Sequence, residues 1–149
     1  VHNLIIGLAI AAVVGVVAVV TRRRRIVDVP TQRNFSVPSQ IDRADFGAPT
    51  QEWLIVVFTS ATCPVCADVS AKAQALASRN VAVRIADFSN ERAIHERYSI
   101  DAVPSVVIAD TSGVVRHHFL GPVSATDLWA SVAAVRDGTG PHPGECSAG

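Results

Sequence analysis

The apolar positions fall into two kinds of pattern. The first is a block at the start: Leu4 to Val20 is an unbroken run of 17 residues, each Leu, Ile, Val, Ala or Gly. Wound as a helix it extends roughly 25 Å, at the short end of what crosses a bilayer core. Four arginines, Arg22–Arg25, follow at once. A buried core helix would keep an amphipathic face, and this run has none. A cleaved signal peptide carries its charges before the apolar run and a small-residue cleavage site after it. Here that order is reversed, so residues 1–25 are expected to form an uncleaved single-pass anchor with a basic stop. Residues 26–35 read as a linker, and the proline-containing stretch to Gln40 leaves room for one short strand.

From residue 36 the pattern changes to short alternating or β-branched runs. Trp53–Thr59 is continuously apolar and β-branched, as a buried central strand is. After Cys63-Pro-Val-Cys66, Val69, Ala73 and Leu76 recur at helical spacing, with Pro64 in the first turn and Asn80 as the stop. Val81–Asp87 alternates as a second strand. Asn90 is placed to cap a short helix reaching Tyr98. Ser105–Ala109 reads as a third strand, Asp110-Thr-Ser-Gly113 as a turn, and Val114–Leu120 as its hairpin partner. Ser124 or Thr126 then caps a last helix with Leu128, Val132 and Val135 on one face. The order predicts an α/β domain over 36–137, a mixed sheet flanked by helices. Six Gly and Pro residues crowd positions 138–149, which read as a flexible tail.

Composition narrows the partners. The 149 residues are 49 % hydrophobic, too apolar for a disordered chain. The 13 basic and 13 acidic groups cancel, but not evenly along the chain. Residues 1–25 hold four arginines and no acid, so residues 26–149 are net acidic. That body lacks the basic face of a nucleic-acid binder. Arginines beside a span stay on the cytoplasmic side. The expected placement is therefore a cell-membrane protein with its N-terminus outside and its α/β domain in the cytoplasm, held to the membrane through residues 4–20.

Three cysteines are too few for a disulfide-dense scaffold. Cys63 and Cys66 are spaced i, i+3, which puts both sulfurs on one helical face. Cys63 is expected at the helix N-terminus, where free N–H groups favour a thiolate, the attacking species in disulfide exchange. Cys66, one turn in, is expected to be the less exposed. The same pair could instead be structural, or bind zinc with ligands drawn from His117, His118, His142 and Cys146. Zinc wants four ligands at suitable spacing, and neighbouring strand residues such as His117 and His118 point to opposite faces. His95 is expected on an exposed helix face, Tyr98 and Trp129 in packing, and Cys146 as a tail thiol.

Cys63-Pro-Val-Cys66 after a buried strand, Tyr98-Ser-Ile-Asp-Ala-Val-Pro104 about 40 residues later, Gly113 in the hairpin turn and Gly121 after the last strand together resemble the thioredoxin-like superfamily. The resemblance is to a membrane-anchored bacterial thioredoxin-domain protein and covers residues 36–137. It implies that Cys63 is the nucleophile and Cys66 the resolving thiol. It further implies that Val103 and a cis Pro104 bind the substrate backbone, and that no metal or cofactor is needed. The resemblance does not extend to thioredoxins proper. They carry Trp, a buried Asp and Lys where this chain has Thr62, Val57 and Ala67. The function implied is a thiol–disulfide oxidoreductase that reduces protein disulfides and exchanges electrons with a second, unidentified partner. The alternative is a thioredoxin-fold adaptor or thiol sensor with little turnover.

Overall fold

A computed structural model describes residues 36–139. The anchor and linker expected over 1–35, most of the tail, His142 and Cys146 lie outside the described residues. Among those that are described, no helix is long and apolar enough to cross a membrane.

Four strands form one sheet: β1 (Trp53–Thr59), β2 (Val81–Asp87), β3 (Ser105–Ala109) and β4 (Val115–Leu120), in the order β2-β1-β3-β4. β1 runs parallel to β2 and antiparallel to β3, and β3 runs antiparallel to β4. Helices α1 (Cys66–Gln74) and α3 (Ala125–Arg136) lie on one face. A 3-10 turn (Arg43–Phe46) and helix α2 (Arg92–Arg97) lie on the other. This is the mixed α/β sheet with flanking helices that the pattern predicted.

β1 is buried along its whole length because it feeds both layers. Trp53, Ile55 and Val57 pack with Val106 and Ile108 against Val69, Ala73, Leu128, Val132 and Val135. Leu54, Val56 and Phe58 pack the other way, with Val107, Ile41, Phe46 and Tyr98. The two-residue period of a strand divides one apolar run between two cores.

Several helix ends differ from expectation. α1 stops at Gln74, not near Asn80. Ser78 N donates to Val81 O and Val81 N to Ser78 O, so the chain is already committed to β2. α2 begins at Arg92, after a turn in which Asp87 O accepts from the N–H groups of Asn90 and Glu91. At α3, Ser124 is the cap, and its hydroxyl accepts from Asp127 N at 3.0 Å. The 3-10 turn had no periodic signal. It is fixed by its Asp42 cap and by Arg43, which donates to the carbonyls of Asp110, Pro49 and Gln51.

His95 corrects the sequence reading. It is 2 % exposed, not on a free helix face. Its ring stands edge-on to Phe58 and Phe88, and Nε2 lies 3.0 Å from Ala86 O. Of the two aromatic residues expected in core or half-buried packing, Tyr98 is buried and Trp129 leaves half its surface open. His117 and His118 pair with Ile108 and Val107 and so take opposite faces of the sheet.

Candidate functional site

β1 delivers the chain to the site. Its last residue, Thr59, is followed by a tight turn in which Cys63 N donates to Ser60 O at 3.1 Å. Cys66 N then donates to Cys63 O, and Cys66 becomes the first residue of α1. Cys63 therefore stands in the turn just ahead of the helix, and Pro64 stands in that turn and not inside α1. Val65 occupies the cap position and makes no side-chain bond to the helix. The first amides of α1 thus have no capping side chain at the end where Cys63 sits.

Cys63 and Cys66 are joined as a disulfide, with their Cα atoms 5.5 Å apart. The two are not equivalent. Cys66 is 4 % exposed and sits in the same row of α1 as Val69 and Ala73. Cys63 is half-buried, with exposed neighbours Thr62 and Pro64. A reagent approaching from solvent meets Cys63 first.

The peptide bond Val103–Pro104 is cis, and Pro104 leads directly into β3. Ser105, the first residue of β3, pairs with Phe58 near the end of β1 and with Leu120 at the end of β4. Pro104 O accepts from Gly121 N at 2.8 Å. The cysteine turn, Val103–Pro104 and Gly121 therefore all lie at one end of the sheet. The sequence-predicted residues Cys63, Cys66, Val103 and Pro104 meet there. Val65 and Leu120 are exposed at the same end, at 38 % and 40 %.

Among the described residues, no group of three His, Cys, Asp or Glu side chains is placed to hold a metal ion. His117 and His118 belong to β4 and take opposite faces, so they do not join the cysteines. Burial and the charge of His118 lower the His117 pKa from its ordinary 6.5.

Two polar features of this end were not expected from the sequence. The Thr59 hydroxyl donates to Asp87 Oδ2 at 3.3 Å, joining the last residues of β1 and β2. The Ser105 hydroxyl is buried without a hydrogen-bond partner. The available signal for the first was a polar residue closing each of two apolar strands.

No protein-family model matches this sequence, and no curated protein matches it. Among solved structures, the chain is similar to one described as a malarial protein. The two are 14 % identical with a TM-score of 0.50, over 58 % of this chain and 97 % of that one. It is also similar to Trxlp from Edwardsiella tarda EIB202, at 19 % identity and a TM-score of 0.49, over 62 % of this chain and 94 % of that one. At such identities the likeness is one of fold alone.

Proposed function

We propose that this chain is a thiol–disulfide oxidoreductase that reduces protein disulfides through Cys63 and Cys66. The observation that carries the reading is the bonded cysteine pair at the head of α1, one sulfur accessible and one covered. In the reduced protein, the Cys63 thiolate attacks a client disulfide. One client sulfur leaves as a thiolate and the other is held as a mixed disulfide. The Cys66 thiolate then attacks Cys63, closes the intramolecular disulfide and releases the second client thiolate. Two electrons pass to the client, and an electron-donating dithiol must later restore the pair. Val103 and Pro104, at the same end of the sheet, offer backbone for an extended client segment.

The test is trapping. Cys66→Ser should accumulate a stable mixed disulfide with a client, and Cys63→Ser should accumulate none. Equal trapping by both variants would reverse or remove the assigned roles. A second reading, a thiol sensor or adaptor with slow turnover, draws on Val57: the sheet under α1 carries an apolar side chain where thioredoxins have an acid. Catalytic turnover of a protein disulfide with added reductant separates the two.

The membrane part of the proposal rests on Leu4–Val20 and Arg22–Arg25. The domain is proposed to work in the cytoplasm on clients near the membrane. A membrane-impermeant thiol reagent should label Cys63 only after cells are lysed. Labelling in intact cells, with the pair kept reduced, would place the domain outside.

A further inference from the structure

Cys66 must lose a proton before it can resolve a mixed disulfide, because the thiolate is the nucleophile. It is 4 % exposed, and burial opposes formation of the anion. With so little of the residue open to bulk solvent, a fixed acceptor nearby would speed the loss of that proton. The sheet face beneath α1 holds few candidates. On β1 that face presents Trp53, Ile55 and Val57, on β2 Val81, Val83 and Ile85, and on β3 Val106 and Ile108. Every rung is apolar until the last, where Thr59 stands beside Asp87.

That rung lies at the correct level. α1 returns antiparallel to β1, so its residues in reverse order, Ala73, Val69 and Cys66, advance along β1 towards its C-terminal end. Val69 and Ala73 pack in the same core as Ile55 and Val57. Cys66, one turn before Val69, is therefore carried towards the end where Thr59 follows Val57. Thr59 is 5 % exposed, and its hydroxyl is already oriented as a donor to Asp87 Oδ2. Its oxygen lone pairs are left to accept. Asp87 Oδ1 accepts from Ser89 N at 2.9 Å, which fixes the carboxylate.

We propose that Asp87, acting through the Thr59 hydroxyl, takes up the proton that Cys66 loses when it resolves the mixed disulfide. The Cys66 proton passes over one water to Thr59 Oγ1, and the Thr59 hydroxyl proton passes to Asp87 Oδ2. The Cys66 thiolate attacks Cys63 sulfur, the Cys63–Cys66 bond forms, and the bond to the client sulfur breaks. The departing thiolate takes a proton from solvent, and Asp87 later releases its own. In the disulfide state described here Cys66 carries no proton, so the path exists only after reduction. Asp87 is a positioning residue in this scheme, since it reaches the sulfur through Thr59.

The neighbouring charges are engaged elsewhere. Asp68 and Lys72 of α1 pair with each other, Arg84 of β2 pairs with Glu91, and Arg92 and Glu96 of α2 pair on an exposed surface. His95 bonds Ala86 O on the opposite face. His117, the other ionisable group on the α1 face, lies on β4 opposite Ile108, which pairs with Ile55, two rungs from Thr59.

This inference rests on the oxidoreductase reading, and the test keeps the two apart. The probe is glutathione disulfide, mixed with the fully reduced full-length chain carrying Cys146→Ser. Rates are followed by acid quench and mass spectrometry from pH 5.5 to 9. In a Cys66→Ser background only the first step occurs, formation of the glutathione mixed disulfide at Cys63. If that step fails, the oxidoreductase reading falls, and this one with it. If it proceeds, Asp87→Asn should leave it unchanged and slow release about tenfold at pH 7, moving the release profile to higher pH. Asparagine keeps an oxygen for Ser89 N and turns its NH2 towards the Thr59 hydroxyl, which then accepts, so the turn is kept and the base is lost. Thr59→Val should act in the same direction, and Asp87→Glu should restore part of the rate. An unchanged release profile in folded Asp87→Asn overturns the proposal, as does a shift produced by His117→Asn instead.

Discussion

Gly113 is the residue at which one methyl group would be felt most. Its φ is +77°, and a Cβ built there would stand 2.0 Å from the carbonyl oxygen of Ile41. Backbone has no rotamer by which to yield. Gly113→Ala should therefore destabilise the domain by about 3 kcal/mol, steric overlap adding to the left-handed backbone cost. Chemical denaturation would measure it, and a loss under about 1 kcal/mol would show that the Ile41 segment can move aside. His117 supplies a pH prediction at the same scale. Its folded-state pKa is lowered, first by burial and then by His118. Between the lowered value and the unfolded 6.5 the unfolded chain binds more protons, so stability rises with pH across that window. The stabilising contribution of the neutral ring is complete above about 6.5 and is lost as pH falls through the folded value. Thermal melts from pH 7.5 to 5 should show this fall, and His117→Gln should flatten part of it. An unchanged slope would mean that other groups set the acid limb.

At the scale of elements, the 3-10 turn is held by polar contacts more than by its own length. The Tyr98 hydroxyl accepts from Asp42 N at 2.8 Å and donates to Asp45 Oδ2, while Arg97 pairs with Asp45 at 3.1 Å. Burial, first, and the bond to Asp45 raise the Tyr98 pKa above its ordinary 10.0. Tyr98→Phe keeps the ring stacked on Phe46 and removes both hydroxyl bonds. It should cost about 1–2 kcal/mol, with faster amide exchange at Asp42 than elsewhere in the domain. Exchange raised evenly would mean that the turn is not a separate opening unit. This element also marks where sequence reading stops. The four strands were legible because short apolar, β-branched runs, continuous or alternating, stand between turn residues. The ends of α1 and α2 were not, because the Ser78–Val81 backbone bonds and the Asp87 carbonyl, accepting from Asn90 and Glu91, decide them. His95 was misread because six residues of α2 carry too little period to identify a buried face, and its partners come from β1 and β2. The cysteines and Pro104 were legible as a motif. The Thr59–Asp87 pair was not, since it exists only through the register of β1 on β2.

At the scale of the molecule, the described residues hold two apolar cores that share β1, with members running from Val37 to Val135. A fragment of residues 36–139 should therefore unfold in one cooperative transition and keep the glutathione-coupled chemistry of the pair. Two transitions, or a fragment that fails to fold, would mean that a contribution from outside is missing. The sheet also has two distinct ends. β1 begins at Trp53 and finishes at the cysteine turn, and β3 runs back to the hairpin turn of Gly113. Ile41 N donates to Gly113 O and Val115 N to Ser39 O, so the N-terminal strap is riveted to the hairpin end. Seven residues of β1 separate that end from the sulfurs, roughly 20 Å of strand. The riveted strap and the disulfide are therefore opposite poles of one sheet, so a substitution that loosens the strap should lower stability while leaving the exchange chemistry of the sulfurs untouched.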